Sequence, residues 1–224
     1  MSSLRNSGAC PDFSIESSLL EEERVIIAGV DEAGRGALAG PLSLAMVIYD
    51  SSIYGRIPED IIETVADSKQ LTEKKRLAAR QVIKQHAAAY TRIFIPHKTI
   101  DSAGINGATE LAVRMMLERI PIRPDIVIMD GNFRFKLDVP FLPVIRGDCR
   151  SLSIASASII AKTDRDEAMC RLDSAFPGYG FARHKGYGTR AHIESIELMG
   201  VSPVHRLSYE PAKSMTVSRG ILPG

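Results

Sequence analysis

An apolar run that ends in two adjacent acids constrains the fold of this chain more than any other feature. The segment Val25–Pro41 reads VIIAGVDEAGRGALAGP, so a β-prone stretch leads directly into Asp31 and Glu32. A glycine-rich loop follows, and glycine lets the backbone approach a ligand closely. Because a buried carboxylate without a partner is costly, acids at the end of a buried strand indicate a bound cation. The segment therefore predicts a buried strand whose terminal acids bind a metal ion that acts on a phosphate group.

Composition sets the limits of what this chain can be. Its 224 residues are 45% apolar, which is enough for one main domain with a proper core. The net charge is only +1, so any affinity for nucleic acid must come from local basic clusters. The three cysteines are widely spaced and form no CxxC pair, which favours a reducing compartment over a disulfide framework or a zinc ribbon. No stretch approaches the roughly 18 apolar residues of a membrane span, so we expect a cytoplasmic protein without membrane contact.

Strand and helix patterns alternate along the chain. The predicted strands are Arg24–Val30, Leu42–Tyr49, Tyr90–Ile95, Ile126–Met129 and Phe141–Val144. The predicted helices are Thr72–Ala89, Asn106–Arg119, Leu152–Phe176 and Ala191–Met199. The first two strands are close enough to form a hairpin, and helices separate the later strands. The fold class is therefore α/β, a mixed sheet with helices packed on it.

The ends of the chain carry weaker patterns than its middle. Residues 1–23 predict a polar N-terminal extension, and residues 24–211 predict the main domain. Residues 212–224 predict a loose tail. Nothing in the sequence demands more than a monomer.

Acids follow apolar strands in separate parts of the chain. Asp31 and Glu32 follow the first strand, Asp130 follows Ile126–Met129, and Asp148 follows Phe141–Val144. Two carboxylates about 4 Å apart repel by roughly 1 kcal/mol in water and about 4 kcal/mol at an intermediate dielectric, so converging acids indicate cations. Hard oxygen donors without a matching His or Cys set favour Mg²⁺ or Mn²⁺. Two such ions can activate water and stabilise a leaving oxygen, which makes these acids candidate metal ligands for phosphodiester cleavage.

The adjacency of Asp31 and Glu32 raises a geometric difficulty. Consecutive strand residues point to opposite faces, so both side chains face one site only if the strand ends or kinks at the acids. Ala33-Gly34 offers a place for such a bend. Glu32 alternatively reaches a single ion or acts through water.

Two other functions remain open at this point. Gly34–Ala39 formally fits the GxGxxA loop of a dinucleotide-binding module, which would require a helix directly after the loop. The β-prone run that follows argues against this module. The chain is alternatively a non-catalytic duplex binder that uses the acids for ion-bridged phosphate contacts.

The DEAGRG segment resembles the signature of ribonuclease HII, the type 2 ribonuclease H family, in its bacterial form. Further family motifs follow in the same order over roughly residues 25–211. They are DSKQL, IMDGN, GDCRSLSIASASIIAK, RD, HKGY and HRLSYEP. One such motif arises by chance easily, but an ordered set does not.

The resemblance implies a ribonuclease H-like mixed sheet flanked by helices, with a C-terminal helical segment. It implies a metal-dependent endonuclease with Mg²⁺ or Mn²⁺ that hydrolyses RNA in RNA–DNA hybrids and cuts 5′ to single ribonucleotides in duplex DNA, a role in replication and repair. The family's catalytic and metal-binding acids match Asp31, Glu32, Asp130 and Asp148. Its ribose-reading loop matches Gly34, Arg35 and Gly36, and its junction tyrosine matches Tyr187.

A basic stretch around Tyr187 predicts a phosphate-binding surface. No acid lies between Ser174 and Ile193, whereas Arg183 and Lys185 lie in this stretch. Lys69 in DSKQL is a further candidate phosphate contact, although a surface lysine near a helix start is the simpler interpretation. Tyr187 lies between two glycines, and it can stack its ring on a sugar or base while its hydroxyl forms a hydrogen bond.

Overall fold

Five strands form a mixed sheet in this computed structural model, which describes residues 10–20, 25–65 and 72–218. The strands are β1 (Ile27–Ala33), β2 (Leu42–Ile48), β3 (Ala89–Ile95), β4 (Ile126–Asp130) and β5 (Phe141–Val144). Their order across the sheet is β3-β2-β1-β4-β5. β1 pairs in parallel with β4, and β4 pairs in parallel with β5. The α/β class predicted from the sequence is confirmed.

Helices precede, separate and follow these strands. In chain order they are α1 (Ser14–Ser18), α2 (Glu59–Val65), α3 (Glu73–His86), α4 (His97–Arg119), α5 (Leu152–Ala175), α6 (Phe181–His184), α7 (Arg190–Met199) and α8 (Ala212–Ser218). Thr72 caps α3, because its side-chain oxygen accepts a hydrogen bond from the Lys75 N–H at 3.4 Å. A bilayer-spanning helix is absent from the part of the chain that the structure describes.

The first strand continues past the point where the sequence predicts its end. β1 includes Asp31, Glu32 and Ala33, and the turn comes at Gly34, whose φ is 96°. The strand therefore does not end at the acids themselves, but it turns at Gly34, within the Ala33-Gly34 pair where the sequence predicts a bend. Ala33 is buried and keeps the strand extended, and Gly34 supplies the left-handed turn. Asp31 is buried and Glu32 is half-buried, as expected for neighbours on opposite faces.

The glycine loop leads into a strand. β2 begins at Leu42, and all seven of its residues are buried. A dinucleotide-binding loop opens into a helix whose N-terminus binds the pyrophosphate. The structure therefore excludes the dinucleotide-binding alternative for this loop.

Two further elements differ from the sequence prediction. α4 begins at His97 and is interrupted at Gly104 (φ 70°, ψ 164°), so the predicted Asn106–Arg119 helix is its second part. The segment after Pro211 forms α8, where the sequence predicts a loose tail. The Ser214 N–H and hydroxyl both donate to the Glu210 carboxylate, at 3.1 and 2.6 Å, and these bonds start the helix.

The chain divides into two compact units. The first unit comprises Met1–Asp31, Met46–Thr91 and Ile120–Ile159. Its core includes Ile27, Ile128, Val144 and Ile154, and Ile15 of α1 packs against this cluster. The α1 segment therefore packs against the core of the first unit.

The second unit comprises Glu32–Ala45, Arg92–Arg119 and Ile160–Gly224. One of its apolar clusters contains Ala39, Met169, Tyr179 and Phe181. The Tyr179 and Phe181 rings stack at 5.3 Å between centroids. This packing places α6 beside the loop that precedes β2.

Candidate active site

Two acids occupy equivalent positions on neighbouring parallel strands of the first unit. In the register of β1 and β4, Val30 pairs with Met129. Asp31 and Asp130 each come one position later, on strands that lie about 4.8 Å apart. Equivalent positions on adjacent strands point to the same face of the sheet. The two carboxylates therefore lie at the carboxyl ends of β1 and β4 and on one face.

A hydrogen bond connects Asp130 to the turn that carries Asp148. Gly147 donates its N–H to Asp130 Oδ1 at 2.6 Å, and Asp148 is the next residue of the same 3-10 turn. A Cβ added at Gly147 would lie 2.7 Å from Ile154 and 3.4 Å from the Asp130 Cα. A larger residue here would make the Ile154 side chain shift, so glycine lets the turn lie close to the end of β4 and the start of α5.

Electrostatic repulsion acts between these acids. Burial raises the pKa of the Asp130 carboxyl, the Gly147 hydrogen bond opposes the increase, and the Asp148 carboxylate raises the pKa further. Within residues 10–20, 25–65 and 72–218, no set of three His, Cys, Asp or Glu side chains is arranged to hold a metal ion. The hard oxygen donors of Asp130 and Asp148 fit Mg²⁺ or Mn²⁺ chemically, because a cation would offset their repulsion. The four-acid metal site stays a prediction.

Glu32, in the second unit, has a defined basic neighbour. Arg35 Nε lies 3.6 Å from Glu32 Oε1. The same guanidinium donates to Thr109 Oγ1 at 3.0 Å and to Asn106 Oδ1 at 2.8 Å, both on α4. Arg35 therefore ties the glycine loop to α4, so its side chain is structural as well as a candidate substrate contact.

The glycine loop and the Tyr187 segment, both in the second unit, pair through their backbones. Ala37 and Tyr187 form an antiparallel bridge. The Leu38 N–H donates to the Gly186 carbonyl at 2.8 Å. The structure thus brings the sequence-predicted loop and tyrosine side by side. Gly36 is exposed at the outer part of the loop.

A buried arginine explains why Gly34 has to be a glycine. A Cβ at Gly34 would lie 1.9 Å from Arg165 Nε. The Arg165 guanidinium donates to the carbonyls of Pro41 at 3.0 Å, Ala39 at 3.2 Å and Lys185 at 2.8 Å. Burial lowers the pKa of Arg165 to about 10, so the side chain remains charged at neutral pH. Arg165 binds both the loop and the Tyr187 segment.

Arg206 holds the same loop from the C-terminal segment. It is fully buried and donates to the carbonyls of Arg35 at 2.8 Å and Gly40 at 3.2 Å. Neither Arg165 nor Arg206 is among the site residues that the sequence predicts. Both lie in sequence motifs, RD and HRLSYEP, but an isolated arginine predicts a surface position.

The Tyr187 ring is half-buried and lies beside two cations. The Arg165 guanidinium carbon is 5.2 Å from the ring centroid, and Lys162 Nζ is 5.7 Å away. Cation–π contacts of this kind limit the movement of the ring. Lys162 also donates to Asp166 at 2.7 Å, which fixes its ammonium group.

The basic candidates fall into different environments. Arg183 is exposed. Lys185 has a left-handed backbone (φ 52°), and its Nζ donates to Cys170 Sγ at 3.0 Å. Lys69 lies outside the described residues. Their substrate-binding roles stay predictions, with Arg183 the most accessible of those described.

Comparison with known proteins identifies the family. A model of the Ribonuclease HII family matches residues 28–212. The chain is 46% identical over 194 residues to Ribonuclease HII of Nitrosomonas europaea, which covers 86% of this chain and 86% of that protein.

Solved structures support the same fold. The ribonuclease H2 from Pyrococcus horikoshii OT3 has a TM-score of 0.72 and 24% identity over 87% of this chain and 98% of that one. Bst-RNase HIII in complex with Mn²⁺ has a TM-score of 0.63 and 18% identity over 87% and 70% of the two chains. At these identities, they establish the fold alone. The family match and the close relative carry the identification: this chain belongs to the ribonuclease HII family and is a hydrolase of the endoribonuclease type.

Proposed function

We propose that this endoribonuclease hydrolyses the RNA strand of RNA–DNA hybrids and cuts 5′ to single ribonucleotides in duplex DNA, leaving 5′-phosphate ends. The observation that carries the proposal is the backbone pairing of the glycine loop with the Tyr187 segment. The 2′-hydroxyl distinguishes RNA from DNA, and backbone groups at an exposed glycine such as Gly36 can reach it. Tyr187 adds a ring that can stack on the neighbouring sugar or base.

The acids supply the hydrolytic chemistry in this proposal. Asp31, Glu32, Asp130 and Asp148 hold Mg²⁺ or Mn²⁺, and a structural neighbour in complex with Mn²⁺ supports a divalent cofactor. Two bound divalent ions would supply a water nucleophile at neutral pH and would stabilise the leaving oxygen. Gly147 keeps Asp130 oriented through its 2.6 Å hydrogen bond.

Basic side chains orient the duplex through its phosphates. Arg183 is exposed and can reach a phosphate, and we assign secondary roles to Lys185 and Lys69. Such contacts position the backbone without reading its sequence. The activity they serve is the removal of ribonucleotides from DNA during replication and repair.

The test uses a DNA duplex that contains one ribonucleotide, an all-DNA duplex and a continuous RNA–DNA hybrid. Each is incubated with the protein in Mg²⁺, in Mn²⁺ and in excess chelator, and the products are mapped by length and by end chemistry. We expect metal-dependent cleavage 5′ to the ribonucleotide and within the hybrid's RNA strand, with the all-DNA duplex intact. Cleavage of the all-DNA duplex, or cleavage in chelator, contradicts the proposal.

The same experiment separates the enzyme from a non-catalytic duplex binder. A binder would shift the ribonucleotide-containing duplex in a gel and leave it uncut in both metals. Cleavage confined to the continuous hybrid would contradict only the assignment of single ribonucleotides as substrates.

A further inference from the structure

Three histidines form a buried cluster in the second unit that the proposed function does not use. His192 and His205 are 0% and 1% exposed, and His184 is also buried. The His184 and His192 rings stack at 4.2 Å between centroids. Phe181 contacts all three rings edge-on or at a tilt.

The hydrogen bonds at the two ends of this cluster determine which nitrogens carry protons. His192 Nδ1 lies 3.0 Å from the Tyr187 carbonyl oxygen, which can only accept, so His192 Nδ1 carries a proton. At the other end the Ser202 N–H, which can only donate, points at His205 Nδ1 at 2.8 Å, so that nitrogen is unprotonated. The Ser202 hydroxyl lies 2.7 Å from the same nitrogen and then donates to it as well.

The bond between the two rings then has a single direction. His192 Nε2 and His205 Nε2 are 3.1 Å apart. A neutral imidazole has one ring proton, so His205, whose Nδ1 is unprotonated, has its proton on Nε2. The His205 Nε2–H therefore donates to the unprotonated Nε2 of His192. The hydrogen bonds therefore run from the Ser202 N–H through His205 and His192 to the Tyr187 carbonyl. We call this series the histidine chain.

Neighbouring groups are consistent with neutral rings. Burial lowers the pKa of both His192 and His205 to about 4, and a neighbouring histidine lowers each pKa further, His184 for His192 and His192 for His205. His184 is also satisfied as a neutral ring, because its Nδ1 accepts from the Gly186 N–H at 3.2 Å and its Nε2 donates to the Tyr179 carbonyl at 2.7 Å. A further proton on His192 Nε2 would face the His205 Nε2–H across 3.1 Å.

The backbone of the histidine chain also contacts the glycine loop. His205 forms an antiparallel bridge with Ala39. The Arg206 N–H donates to the Leu38 carbonyl at 2.8 Å. His205 therefore contacts the glycine loop through its backbone, and its ring connects to the Tyr187 carbonyl through the His192 ring.

We propose that His192 and His205 are positioning residues for ribonucleotide recognition, because the histidine chain holds the Tyr187 backbone at a fixed distance from the glycine loop. This inference rests on the proposed function, in which that loop and Tyr187 read the ribonucleotide. The histidines do not touch the substrate. They act through the Tyr187 carbonyl.

The test compares His192→Asn with His192→Gln. The asparagine amide can place a donor where Nδ1 stands and keep the bond to Tyr187, whereas the glutamine amide extends to the Nε2 position and leaves that carbonyl without its donor. Both variants lose the ring stack with His184. We expect His192→Gln to lower kcat/KM on the single-ribonucleotide duplex about tenfold more than His192→Asn, the effect expected when a buried acceptor loses its donor.

A double-mutant comparison shows whether His192 acts through Tyr187. In the Tyr187→Ala background, the difference between the two His192 variants should disappear, because the ring that they position is gone. His86→Gln is the matched control, since His86 lies at the end of α3 beside Asp60, and we expect wild-type rates from it. Equal rates for the two His192 variants, or a difference that persists without Tyr187, would overturn the proposal.

A separate measurement reads the histidine chain without activity. Imidazole nitrogen NMR shifts of the intact wild-type protein at neutral pH should show His192 protonated on Nδ1 and His205 protonated on Nε2. The reverse tautomers would overturn the inference even if the variants fail to fold. A wild-type protein with these tautomers that does not cut the single-ribonucleotide duplex would instead contradict the proposed function, and the role in recognition would fall with it.

Discussion

Asp130 Oδ1 accepts a hydrogen bond from the Gly147 N–H at 2.6 Å, so the acid at the end of β4 is tied to the residue directly before Asp148. Two acids from different strands thereby share one backbone contact. The bond orients Asp130, and it also determines how far the turn with Asp148 lies from the end of β4. A substitution that removes the negative charge of Asp130 but keeps its Oδ1 acceptor can therefore distinguish the role of the charge from that of the hydrogen bond to Gly147.

Asp130→Asn should largely abolish cleavage while preserving the fold. The asparagine Oδ1 can still accept from Gly147, but the side chain no longer offers a charged ligand to a divalent ion. We expect kcat to decrease by roughly 10²–10³-fold, as when one electrostatic group is removed from an active site. The measurement is single-ribonucleotide cleavage in Mg²⁺ and Mn²⁺, with thermal unfolding recorded in parallel.

Asp138→Asn is the matched control for this substitution. Asp138 lies on the surface, where it pairs with Arg123, and an exposed pair of this kind contributes less than about 1 kcal/mol. We expect wild-type cleavage from this variant. If Asp130→Asn cleaves at the wild-type rate, Asp130 has no part in catalysis.

Two glycines of the loop should respond differently to alanine. At Gly34 the new Cβ would overlap Arg165 at a backbone φ of 96°, so Gly34→Ala should lower the free energy of unfolding by about 2–4 kcal/mol. At Gly36 a Cβ meets no heavy atom of the described residues within 4 Å. Gly36→Ala should unfold like the wild type in urea but bind the ribonucleotide-containing duplex less tightly. Equal stabilities of the two variants would contradict this account of Gly34.

Tyr187→Ala should impair cleavage at isolated ribonucleotides more than it impairs stability. The ring is half-buried, and the removal of a stacked aromatic costs about 1–3 kcal/mol of binding, or roughly 5- to 150-fold in kcat/KM. Tyr187→Phe retains the ring and separates stacking from the hydroxyl. If Tyr187→Ala and the wild type cut the single-ribonucleotide duplex equally fast, Tyr187 does not recognise the junction.

The strand ends were predictable because apolar runs and acids are local patterns. β4 and β5 lie where the sequence placed them to within one residue, and Asp130 follows its run as expected. The end of β1 was not predictable, because an apolar run followed by two acids has the same sequence pattern whether the acids lie inside the strand or after it. Tertiary pairing and the glycine at position 34, rather than local preference, decide where this strand turns.

The supports of the site were not predictable, since they join residues distant in sequence. Arg165 binds the carbonyls of Ala39 and Pro41, and a pattern of helix spacing carries no information about such partners. The histidine chain was invisible for the same reason. Its histidines have no metal-binding spacing, and only their geometry shows how they are connected.

The N-terminal segment offers a test of one such hidden support. Glu16 is fully buried in α1, and its Oε1 accepts hydrogen bonds from the hydroxyls of Ser151 and Ser153 and from the Ser153 N–H, at 2.5–3.1 Å. Glu16 thereby caps the start of α5. Glu16→Ala should lower the free energy of unfolding by about 2–4 kcal/mol, because these donors lose their acceptor.

Glu16→Gln separates the charge of this side chain from its hydrogen bonds. Burial raises the pKa of Glu16 above its ordinary value of 4.5, so the folded state binds its proton more tightly than the unfolded state does. The contribution of Glu16 to stability therefore decreases as the pH rises above 4.5. In urea unfolding, we expect wild-type stability relative to Glu16→Gln to be lower at pH 8 than at pH 5. A pH-independent difference would show that Glu16 is not a buried titrating acid.

The histidine chain should make the stability of the protein dependent on pH in the opposite direction. Burial lowers the pKa of His192 and His205 from 6.5 to about 4, so between these values the unfolded state binds more protons than the folded state. Stability is then fully present above pH 6.5 and decreases as the pH falls towards 4, by about 2–3 kcal/mol per histidine. The measurement is the free energy of unfolding in urea at pH 7.5 and at pH 5. His192→Asn removes one titrating ring, so its stability should change less between the two pH values than that of the wild type. If this free energy changes equally in the two proteins, the pKa of His192 does not differ between the folded and the unfolded state. His192 would then not be the buried, neutral ring of the histidine chain.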